Sequence, residues 1–204
     1  MFKIFPPKRY RQRCALRTIT FAFLFAASAA SQADCEYAEL ISAIKAGNAE
    51  GVASYLSQDC SASAPSPTSI SALELSLILN KTGIFKQLVK ADESLVETHG
   101  VNALAAACNI NVKNKEAIEM LTAKGVDINT MSANGFSCLY NAAVVPDLEF
   151  FNYLITLGAN PNAQIVPDPM YKIDHLISVK AFIKRRAEAY QQLDQAVTEA
   201  ANNK

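Results

Sequence analysis

The sequence predicts an all-α protein, a solenoid of about four helix-turn-helix units with short hairpin loops and a C-terminal capping helix. Three observations predict it. Leu40, Leu73, Leu104 and Leu139 recur at spacings of 33, 31 and 35 residues, a period expected of stacked supersecondary repeats. Around each of them, apolar residues recur at helical spacing. After Pro169 neither glycine nor proline interrupts the chain, and an apolar stripe runs on to Val197.

The first 33 residues stand apart from this pattern. Lys3, Lys8, Arg9, Arg11, Arg13 and Arg17 precede an apolar run from Ile19 to Ala30, and no acidic residue occurs before Asp34. A basic start, a short apolar core and small residues after it describe a secretory signal peptide, with cleavage expected after Ala33. The run falls short of the roughly 20 apolar residues that span a bilayer. The chain is therefore expected to be exported, to the periplasm or beyond, with no stable membrane insertion after cleavage.

The first unit, residues 36–65, carries Leu40, Ala43, Gly47-Asn48, Val52, Tyr55 and Leu56. In the second, residues 66–98, Ser71 and Glu74 have the spacing of a capping box, and Ile84, Phe85, Leu88 and Val89 follow at helical positions. The third, residues 99–132, opens with Gly100-Val101-Asn102-Ala103-Leu104, and Asn102 reads as the helix cap. An insertion at Asn109 to Asn114 separates its helices, and the unit ends in Gly125-Val126-Asp127-Ile128-Asn129. The fourth, residues 133–163, has the turn former Asn134-Gly135, Ser137 as N-cap and Pro146-Asp147 as a break. Phe150, Phe151, Leu154 and Ile155 then precede Gly158-Ala159-Asn160-Pro161-Asn162. A generic bundle of helical hairpins would share the periodicity, but not the recurring turn motifs.

These motifs resemble the ankyrin repeat, strongly in the third and fourth units and weakly in the first two. Where the family has Thr-Pro-Leu-His, this chain has Ser71-Ala72-Leu73-Glu74, Asn102-Ala103-Leu104-Ala105 and Ser137-Cys138-Leu139-Tyr140. The resemblance implies a protein-binding module whose partners meet the hairpin tips and the first helices, on a concave face. Carried over, those positions are Met131, Ser132, Asn134, Phe136 and Asn141 in the fourth unit, and Thr98, His99 and Val101 in the third. Phe136 is the foremost of them, because aromatic anchors are enriched among interface hot spots. Tyr140 occupies the family's His position and is expected to be structural.

Residues 164–204 are expected to form a helical cap and tail, as one helix or a broken helix pair. Asp168-Pro169 would start a helix, and Ile173, Leu176, Ile177, Ile183, Ala187, Tyr190, Leu193 and Val197 would line its apolar side. A repeat stack needs such a cap over its last apolar surface. The segment beyond Ala187 reads equally as cap and as a helix for a partner or for self-assembly.

Charge and cysteines narrow the function. Of 19 basic side chains six precede residue 34, which leaves 13 against 19 acidic ones, a net of about −6. That is a poor balance for nucleic acid, whose phosphates are neutralised by Lys and Arg. Cys14 goes with the leader; Cys35, Cys60, Cys108 and Cys138 remain and allow three connectivities. Cys35 with Cys60 is favoured because they flank one helical hairpin, with Cys108 and Cys138 as the other pair. The alternative is that the cysteines serve as small buried hydrophobes.

Little points to catalysis. His99 and His175 are the only histidines, and neither lies in a metal-ligand spacing. No phosphate loop, nucleophile elbow or CxxC motif occurs. No catalytic residue, metal or cofactor is expected, and an enzyme is the weakest reading. The expected function is stoichiometric binding of another protein by a monomer. Two roles fit: an inhibitor or immunity partner of a secreted or periplasmic protein, and a scaffold of a periplasmic enzyme.

Overall fold

A computed structural model of the chain describes residues 35–58, 60–63, 70–132, 135–165, 177–185 and 191–202. All belong to one compact unit, Ala33–Lys204. The leader, Asn134, His175 and the Asp168-Pro169 helix start lie outside the described residues, as do most of the stretch between Ser61 and Ser69 and Ile173, Leu176, Ala187 and Tyr190.

Among the described residues five helical hairpins follow one another: α1 (Tyr37–Ala46) with α2 (Ala49–Leu56), α3 (Ala72–Ile78) with α4 (Thr82–Ala91), and α5 (Ser94–Ala107) with α6 (Lys115–Ala123). Then come α7 (Cys138–Val144) with α8 (Leu148–Thr156), and α9 (Val179–Arg185) with α10 (Gln191–Asn202). First helices pack on first helices, α1 on α3, α3 on α5 and α7 on α9. Second helices do the same, α2 on α4 and α8 on α10. One apolar core runs between the two layers from Leu40 to Val197.

Short polar side chains start most of these helices. Ser71 and Ser137, both buried, accept the N–H groups of Glu74 at 3.1 Å and Tyr140 at 3.2 Å. Asn48, Asn114 and Asp147 cap α2, α6 and α8 in the same way, at 2.9, 3.0 and 3.0 Å. Each satisfies a donor that the helix itself leaves open. Gly125 and Gly158 follow α6 and α8 at φ 93° and 90°, a left-handed conformation that closes a helix end without a Cβ clash.

The third unit departs from its expected start. α5 begins at Ser94, not near Gly100, and its N-cap Glu93 makes no side-chain cap. Asn102 is an exposed mid-helix residue and caps nothing. The cause is local. Asp92 Oδ1 accepts the Ser94 N–H at 2.9 Å, which turns the chain straight into a helix whose Leu95 and Val96 are buried. Gly100 sits within that helix and lets Val126 dock against it: a Cβ there would lie 2.7 Å from Val126 Cγ2. The helix therefore runs through the place where a hairpin tip was expected.

Among the described residues the C-terminal segment is the fifth pair, two helices packed on each other, which is the broken-pair form of the expected cap. β1 (Gln164–Ile165) pairs antiparallel with β2 (Ile177–Ser178), Ile165 opposite Ile177. Ile177 is thus a strand residue and not part of a helical stripe, because its backbone is extended and paired across to Ile165. The N–H groups of Val179 and Lys180 bond to Ala163 and Pro161 at 3.1 and 2.8 Å, which seats α9 on the preceding loop. α10 buries Leu193 and Val197 against α8 and α9. Among the described residues no helix is long and apolar enough to cross a membrane.

Candidate functional site

The two layers of helices differ in charge. On α3, on α7 and on Gly100–Ala107 of α5, Glu74 is the single acidic or basic residue. The second helices use several of their charges between units. Lys86 pairs with Glu116, Lys113 with Asp147, and Lys115 with Glu149 at 2.8 Å. Lys113 holds the Asp147 carboxyl below its usual range, helped by the Phe150 N–H. Tyr153 donates to Lys115 O at 3.0 Å and to Glu119 at 3.2 Å, and burial beside Glu119 pushes its hydroxyl well up. This layer is a polar ladder already occupied with itself. On the other side α3, α7 and the second half of α5 carry only Glu74, while α1, α9 and the first turn of α5 keep Glu39, Lys45, Lys180, Lys184 and Glu97.

On that side the chain between α6 and α7 forms a finger. Asp127 Oδ1 accepts the Asn129 N–H at 2.9 Å, an Asx turn that reverses direction after the helix. The chain then doubles back: the Ser132 N–H bonds to Phe136 O at 2.9 Å, and the Gly135 N–H to Ser132 O at 2.8 Å. Met131, Ser132 and Phe136 share this finger, and Asn141 lies one helical turn beyond Ser137 on α7. Phe136 is 39% exposed. Its inner side stacks on Tyr140 at 6.0 Å, and Tyr140, fully buried, meets Phe182 of α9 edge-on at 5.2 Å. The aromatic column runs from finger to cap.

Thr98, His99 and Val101 are on a first helix. They lie on the body of α5 and on no hairpin tip. Val101 is exposed, whereas the Nε2 of His99 is buried without a hydrogen-bond partner among the described residues. Val101 lines a groove of about 510 Å³ between α5 and the base of the finger, together with Glu93, Val96, Glu97, Lys124, Val126 and Asp127. None of the other sequence-predicted residues lines it. Glu93 and Glu97, which share the groove with Val101, were not among the expected positions because the helix was expected to start near Gly100. On a continuous helix their spacing of four puts them on one stripe.

The cysteines lie in two close pairs. The Cα atoms of Cys35 and Cys60 are 5.5 Å apart and those of Cys108 and Cys138 are 5.0 Å apart, both within the usual disulfide window of about 4.4–6.8 Å. The second pair joins the end of α5 to the start of α7, behind Phe136 and Tyr140. Among the described residues no three His, Cys, Asp or Glu side chains converge on a possible metal position.

Residues 73–165 match the family model for ankyrin repeats, in three copies. A comparison with curated proteins finds no match. The matched stretch contains the second to fourth hairpins, and the first and fifth flank it. Ankyrin repeats are modules of protein–protein interaction. Residues 73–165 are thus ankyrin repeats.

Proposed function

We propose that this is an exported protein that binds another protein stoichiometrically, as an inhibitor or immunity partner of a secreted or periplasmic protein. One observation carries the reading. Several charges of the second helices are engaged between units, whereas the opposite face presents Val101, Asn102, Phe136 and Asn141 around the finger. Phe136 is the anchor of that face. Its ring is already held by Tyr140, so little side-chain freedom is lost when a partner covers it. Export is supported by the basic and apolar leader and by cysteine pairs at bonding separation, which persist as disulfides in oxidising compartments.

The test is retrieval of the chain, tagged at Lys204, from the envelope fraction of its host, with mass spectrometry of what accompanies it. A single stoichiometric partner whose activity falls on binding is the expected result. A partner whose activity is unchanged or raised overturns inhibition in favour of scaffolding. Retention of the partner by Phe136→Ala would remove Phe136 as anchor.

A further inference from the structure

We infer that the groove between α5 and the base of the finger holds a basic side chain from the protein partner, with Glu97 and Asp127 as its counter-charges. This deepens the protein-binding role and rests on it. The groove is about 510 Å³, and Val96, Val101 and Val126 give it an apolar lining. Three carboxylates, Glu93, Glu97 and Asp127, face it with one ammonium group, Lys124. Lys124 is already paired with Glu93 at 2.8 Å. Neither Glu97 nor Asp127 has a cationic partner among the described residues. Asp127 Oδ1 is held by the Asn129 N–H and side-chain amide at 2.9 and 3.2 Å, which fixes the carboxylate at the rim.

The lining selects the occupant. A metal ion needs converging ligands, and no such set exists among the described residues. An arginine or lysine side chain matches both parts of the wall: its methylene stem covers the valines, and its charged end meets the carboxylates. The acidic balance of the chain beyond residue 33 favours the same partner.

The experiment is an NMR titration of the isotopically labelled chain, produced from its complete sequence. The probe is a short acetylated and amidated peptide with one arginine between leucines. Its glutamine and glutamate counterparts serve as controls. Saturable shifts at the amides of Glu97, Val101, Val126 and Asp127, weakened by salt and specific to the arginine peptide, are expected. The double variant Glu97→Gln with Asp127→Asn should bind the peptide about tenfold more weakly. Both substitutions keep side-chain size, and the amide introduced by Asp127→Asn keeps the oxygen that Asn129 needs, so the fold should persist. No saturable shift at these amides, equal shifts with the glutamine peptide, or an unaffected double variant would overturn the inference. If a partner is known and the double variant binds it unchanged, the groove assignment falls and the protein-binding role stands.

Discussion

Asn129 Oδ1 accepts the backbone N–H of Asn160 at 2.7 Å, so the finger after α6 is tied to the loop after α8. Asn129 also donates to Gly158 O at 3.4 Å, and Asp127 holds it from behind. One side chain therefore links two units. Asn129→Ala should lower stability by about 1–2 kcal/mol, because it leaves the Asn160 donor without its acceptor. Asn162, whose side chain is exposed, is the control. Asn162→Ala should stay within about 0.5 kcal/mol, as read from urea unfolding.

Phe136 and Tyr140 stack on each other but answer differently to truncation. Tyr140 is buried at the centre of the aromatic column, and Tyr140→Ala should cost about 3–5 kcal/mol of stability. Phe136→Ala should cost at most about 1 kcal/mol of stability, the worth of one aromatic contact beyond area burial. Partner affinity should fall by about 1–2 kcal/mol or more if it is the anchor. Thermal unfolding and partner titration of the same two variants separate these effects.

Gly100 is a close-approach residue. Alanine there would raise helix propensity by about 1 kcal/mol, yet its Cβ would lie 2.7 Å from Val126 Cγ2 and 3.2 Å from Val96 Cγ1. The overlap wins, at about 1–3 kcal/mol of destabilisation. Gly100→Ala with Val126→Ala should recover much of that loss. A stabilised single variant would show that Val126 turns aside freely.

The cysteine pairs close sequence separations of 25 and 30 residues. As disulfides, each should stabilise the fold by about 3 kcal/mol, chiefly by restricting the unfolded chain. Reductant should lower the midpoint of thermal unfolding, and thiol labelling of the untreated protein should find these four cysteines unreactive. Cys108→Ala with Cys138→Ala should show a smaller response to reductant than the parent. An unchanged midpoint in the parent would mean that the thiols are free.

Asp147 makes stability depend on acid pH. Lys113, then the Phe150 N–H, hold its pKa below the ordinary value of 3.8. A depressed folded value means that the charge contributes fully above the ordinary value and is lost as pH falls through the lower one. Asp147→Asn keeps a cap acceptor but loses the ion pair. The stability gap between parent and variant should hold near neutral pH and shrink as pH drops below about 3.8. Denaturant midpoints measured across that range would show it.

How much was legible depended on whether the signal was local. The helix starts at Ser71, Ser137 and Asp147 follow from a side chain that reaches an N–H three residues on, and such spacings are written in the sequence. The Leu40–Leu139 period and the Asp127–Asn129 and Asn160–Asn162 turns are local too. The start of α5 was not legible. Asp92 turns the chain into helix at once, and the burial of Leu95 and Val96 with the docking of Val126 on Gly100 carries that helix past its expected start.

The sequence by itself thus determined the repeat and the helix caps at Ser71, Ser137 and Asp147. These rest on residue type and short spacing. Only the tertiary structure decided that Ile177 pairs with Ile165 in a strand, that Leu193 and Val197 belong to a fifth hairpin, and that Glu97 shares a groove with Asp127. Each of these joins residues far apart along the chain, and which distant surfaces meet is set by how one unit packs on the next.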